Sequence, residues 1–119
     1  MENKSNLVSP MSPLEEIAEI MYNKQLRYIE DIEVVYVVYS KDKSKRFVVT
    51  KNSKGFYKFE YQEICLFDEQ EWLYICNYED ALPAYWSSID DLNSYSFYGS
   101  EDDVMKALWQ DVKYRQYFE

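Results

Sequence analysis

The chain has 119 residues, 47% of them hydrophobic, with thirteen tyrosines, no histidine and a net charge of -9. The missing histidine removes the commonest general base and the commonest metal ligand, and two glycines leave no glycine-rich phosphate loop. A chain of this length buries roughly 60 to 70% of the surface its unfolded form exposes, so one domain is expected to fold without disulfide or metal.

Residues 1–11 are polar and lead into Ser12-Pro13, and are expected to be a flexible segment ahead of a single domain over 12–119. The segment lacks the apolar core of a signal peptide, and no run reaches the roughly 20 apolar residues of a membrane span. A cytoplasmic location is the expectation. Ser12, Pro13 and Glu15 together signal a helix start, and Leu14, Ile17, Ala18 and Met21 recur at helical spacing, which predicts a helix over 13–28.

From Ile32 onward β-branched and aromatic residues dominate. Residues 32–39, 46–51, 56–67 and 72–77 read as strands joined by loops too short for parallel crossovers, hence an antiparallel meander. The loop Ser53-Lys54-Gly55 ends on glycine, as a type I turn followed by a left-handed residue requires. It pairs Val49 with Phe59 and Phe47 with Tyr61; the two-residue alternative would oppose apolar and charged residues on each face. A second hairpin around Asp68-Glu69-Gln70-Glu71 would set Phe67 against Trp72 and Cys65 against Tyr74. One sheet face is then apolar throughout, and the other turns apolar at Ile64, Leu66, Leu73 and Ile75, a patch that needs a cover or a partner, with a homodimer as one option.

Pro83 bars helix across 82–86, and residues 87–96 are rich in Ser, Asp and Asn, so 78–98 reads as an irregular acidic loop with an edge strand at 94–98. Beyond Gly99, Ser100 is a natural cap for a C-terminal helix whose first turn carries Glu101, Asp102 and Asp103. Its apolar stripe is Val104, Met105, Leu108, Trp109 and Val112. The fold class is α+β: N-terminal helix, four-stranded antiparallel meander, irregular acidic loop, C-terminal helix.

Charge is uneven. Residues 40–58 carry seven bases and one acid, whereas residues 59–111 carry thirteen acids against Lys106 alone. Acids beside aromatics suit a protein interface for a basic partner, and Tyr85, Trp86, Asp90, Asp91, Tyr95 and Tyr98 are the candidate partner-binding residues. The carboxylates lack the spacing of a calcium loop, Cys65 and Cys76 lack the spacing of a zinc pair, and no catalytic pattern is present. No metal, no cofactor, no enzymatic activity and no direct nucleic-acid binding are expected. The two cysteines read as core residues, with a cross-strand disulfide as the alternative.

The run Phe97-Tyr98-Gly99-Ser100-Glu101-Asp102-Asp103-Val104 leads into an amphipathic helix, after a tyrosine-rich meander and a loop bearing Trp86. In this organisation, from Leu14 to Phe118, the chain resembles the small acidic immunity proteins of bacterial polymorphic toxin systems. The resemblance implies a protein that binds and occludes a toxin, frequently a nuclease with a basic surface. The competing readings are a phage or regulatory protein that mimics nucleic-acid charge and a structural subunit that self-associates through the Ile64, Leu66, Leu73 and Ile75 patch.

Overall fold

In the computed structural model, which describes residues 8–26, 31–88 and 96–119, the elements run α1 (Leu14–Met21), β1 (Ile32–Tyr39), β2 (Lys45–Asn52), β3 (Tyr57–Leu66), α2 (Glu69–Ile75), β4 (Ala84–Ser88), α3 (Glu101–Trp109) and α4 (Val112–Tyr117). The strands form one antiparallel sheet in the order β1-β2-β3-β4. The class is α+β, as expected.

Local chemistry explains the two tight turns. Between β1 and β2, the Asp42 carboxylate accepts from the Ser44 amide and from the hydroxyls of Ser40 and Ser44. Those bonds, the Ser44 amide first, hold the Asp42 carboxyl below its ordinary range. Between β2 and β3, Asn52 Oδ1 accepts from the amides of Lys54 and Phe56 while Gly55 takes φ +88°. Val49 therefore faces Phe59 and Phe47 faces Tyr61, the register that the alternation of apolar residues requires. On β1 the register shifts between Val34 and Tyr36, a bulge that twists an edge strand and discourages pairing with other chains.

Each face of the sheet receives helix. Phe47, Val49, Phe59 and Tyr61 bury against Val104 and Leu108 of α3, with Tyr114 and Phe118 closing the cluster. On the opposite face, Ile17 and Met21 of α1 bury against Ala84 and Trp86 of β4, with Ile64 and Leu82 beside them.

Four expectations are corrected. First, 72–77 is not a strand. Asp68 accepts from the Glu71 amide while the Glu71 side chain accepts from the Asp68 amide, a capping box that starts α2. The fourth strand is β4, which sets Cys65 opposite Tyr85 and Ile64 opposite Trp86, so the pairs Phe67/Trp72 and Cys65/Tyr74 do not form.

Second, α1 ends at Met21 rather than at 28: Asn23 and Gln25 adopt φ of 59° and 57°, the Asn23 amide donates to the Tyr39 hydroxyl, and the Gln25 carbonyl accepts from Arg46. Ser12 does not cap this helix; its hydroxyl accepts from the Ser9 amide, 2.9 Å away, in a turn that precedes it. Third, the C-terminal helix is two helices. Asp111, almost fully buried, accepts from the Lys113 amide and caps α4, and the change of direction carries Tyr114 and Phe118 to Phe47.

The fourth correction follows from that break: Trp109 is 51% exposed and Val112 more so, although both belong to the expected stripe. Of the expected edge strand at 94–98, Tyr98 forms a bridge to Tyr57, while Ser94 and Tyr95 lie outside the described residues. Leu108→Ala is expected to cost about 2–5 kcal/mol by urea unfolding, as a buried leucine does, and Trp109→Ala less than about 1 kcal/mol. The reverse order would show that the α3 face is misassigned.

Candidate partner-binding surface

Of the six residues nominated from the sequence, the three that are described, Tyr85, Trp86 and Tyr98, do not share one surface. Strand alternation along β4 sends Ala84 and Trp86 toward α1 and Tyr85 to the other face, where its ring lies 5.1 Å from that of Phe67. Trp86 is only 8% exposed. Its indole N–H donates to the Met21 carbonyl at 2.9 Å, and the Arg46 guanidinium lies 4.1 Å over its ring. Trp86 is thus a core residue and not an interface anchor. Tyr98 exchanges two backbone bonds with Tyr57 at the far end of β3 and stacks on Phe59. Asp90, Asp91 and Tyr95 lie outside the described residues.

A different acidic, aromatic surface is built by α2 and its flanks. Residues 67–85 contain Asp68, Glu69, Glu71, Glu79 and Asp80 and no lysine or arginine. Helical spacing turns Trp72, Ile75 and Cys76 toward the protein, where they are half-buried, and leaves Leu73 64% and Tyr74 80% exposed. No residue of α2 is buried outright. Tyr78 and Leu66 add exposed apolar area on either side, and among the described candidates Tyr85 borders it, with its ring against Phe67. The capping signature Asp68-x-x-Glu71 was the signal that a helix, and hence a protruding face, begins there.

Beside α2 runs a groove of about 520 Å³, walled by Phe67, Ile75, Leu82 and Ala84, with Asp80 and Lys24 among its lining. The apolar patch expected at Ile64, Leu66, Leu73 and Ile75 is accordingly divided. Ile64 packs with Trp86 against α1, Ile75 lines the groove, and Leu66 and Leu73 stand exposed on separate elements.

The basic residues of 40–58 do not neutralise this corner, because many of them lie along aromatic rings elsewhere. Lys43 sits 4.9 Å over Tyr22, Lys45 4.7 Å over Tyr117, Lys51 5.5 Å over Tyr57 and Lys58 5.8 Å over Phe97. Arg46 is wholly buried. On the α3 face, burial first and the Glu63 carboxylate second push the Tyr61 phenol well above its ordinary range, a consequence of core packing. Among the described residues no group of three or more His, Cys, Asp or Glu side chains is placed to hold a metal ion, and Cys65 and Cys76 are free thiols. No helix of the described residues is long and apolar enough to cross a membrane.

No protein-family model, no curated protein and no solved structure matches the chain. The assignment of Trp86 to the core and of Tyr74 to the surface makes opposite demands on stability. Trp86→Ala is expected to cost about 3–5 kcal/mol in urea unfolding and Tyr74→Ala no more than about 0.5 kcal/mol. Equal losses would contradict that division.

Proposed function

We propose that this chain is a small acidic binding protein that neutralises a basic toxin or enzyme by occluding its surface, as in the immunity proteins that its organisation resembles. The observation that carries the reading is the α2 corner: exposed Leu73, Tyr74 and Tyr78 set among five carboxylates with no base in the same stretch. Aromatic and aliphatic groups supply binding energy when a partner excludes water from them. The carboxylates around them attract a basic surface over several ångströms and repel acidic competitors.

The chemistry of the remaining surface supports binding over catalysis. There is no histidine, and the perturbed titrations of Asp42 and Tyr61 are accounted for by a turn and by core packing. Occlusion needs only a stable platform and an exposed face, both of which α2 and the sheet behind it supply.

The test is co-purification from cells that naturally contain the protein, identification of the bound protein, and binding kinetics with variants. Glu69→Lys with Glu79→Lys is expected to slow association and to flatten its salt dependence, whereas Tyr74→Ala is expected to speed dissociation by about tenfold or more. Trp109→Ala, an exposed aromatic on the α3 side, serves as the control and leaves binding unchanged. A bound protein that is acidic, or one whose kinetics respond to the control and not to the α2 variants, overturns the reading.

A further inference from the structure

The groove between α2 and β4 is built for a particular kind of side chain, and we propose that it takes an arginine or lysine side chain of the basic partner. This rests on the binding function proposed above and names its anchor. The walls from Phe67, Ile75, Leu82 and Ala84 are apolar, and Ala84 is fully buried while Phe67 is held in place against Tyr85. Such walls favour a hydrocarbon stem. Asp80, exposed in the lining, offers a carboxylate to whatever the stem carries. A long basic side chain combines the two, with methylene groups for the walls and a cation for the acid.

The other occupants fit less well. Lys24 opposes a cation in the groove as Asp80 opposes an anion, and the four carboxylates of 68–79 tip the balance toward the cation, while a purely aliphatic group would make no use of Asp80. A second copy of the chain brings a net charge of -9 toward another of -9.

Capped peptides of the form Gly-Gly-X-Gly-Gly, with X as arginine, lysine, norleucine or glutamate, are the probe, titrated into isotopically labelled protein and read by amide chemical shifts. The arginine and lysine peptides are expected to shift the amides of Ile75, Leu82 and Ala84 saturably and to bind up to about fivefold tighter than the norleucine peptide, the range of an exposed ion pair. Asp80→Asn, an exposed and isosteric change, is expected to remove that preference. Ile75→Trp fills the groove and is expected to abolish all four titrations with the rest of the spectrum unchanged.

Shifts confined to other residues, equal binding of the glutamate peptide, or a preference that survives Asp80→Asn would overturn the assignment. The same variants separate this inference from the function on which it rests. Partner binding that is weakened by Tyr74→Ala but untouched by Asp80→Asn leaves the α2 surface standing and removes the groove. Binding that is indifferent to both removes the two together.

Discussion

A guanidinium buried between a helix exit and a sheet organises one half of this molecule. Arg46 projects from β2 and is wholly shielded from solvent, a position costly for a charge unless its donors are satisfied. They are satisfied by Gln62 at 2.6 Å, by the carbonyls of Lys24 and Gln25 and by the Tyr39 hydroxyl, with the Trp86 ring beneath the guanidinium plane. Gln62 in turn donates to Glu60, which also accepts from Ser88 on β4. Arg46 thus joins β2, β3 and β4 to the segment that leaves α1. That segment needs such a clamp, since Asn23 and Gln25 hold left-handed backbone conformations that cost free energy in residues other than glycine.

The clamp also shapes the surface. With α1 fixed over Trp86 and with α3 and α4 over Phe47, both faces of the sheet receive helix, and Leu66, Leu73, Tyr74 and Tyr78 remain exposed where β3 passes into α2. Gln25 lies on both sides of this arrangement: its carbonyl accepts from Arg46, its side-chain oxygen accepts from the Trp86 amide at 2.8 Å, and the residue lines the groove. The geometry of the groove is therefore set by core contacts.

Much of the fold was legible because several local signals agreed. The β2–β3 register followed from period-two alternation together with Gly55, and the α3 start from Ser100 followed by three acids. The stretch 72–77 is ambiguous in the sequence because a short run of aromatic and aliphatic residues suits either a strand or a half-buried helix, and the signature at Asp68 and Glu71 suits a hairpin loop as well as a cap. In the sequence Arg46 enters only the charge count of residues 40–58, and charge totals carry no information on burial. Trp86 stood beside Tyr85 in the sequence and, by the same alternation that identified the other strands, faces the opposite way once β4 is recognised. Tyr85 alone among the described candidates borders the surface proposed for a partner. Trp109 was placed in the core on the premise of an unbroken helix, which Asp111 interrupts.

The dependence of α1 and β4 on Arg46 is tested most directly by amide hydrogen exchange in the Arg46→Lys variant, because an ammonium group keeps the charge but loses the planar fork that reaches several acceptors at once. Protection is expected to fall for residues 17–25 and 84–88 while the amides of α3 and of the pairing between Val49 and Phe59 remain protected. Protection that is unchanged, or that falls evenly through both halves, would contradict the role assigned to this side chain.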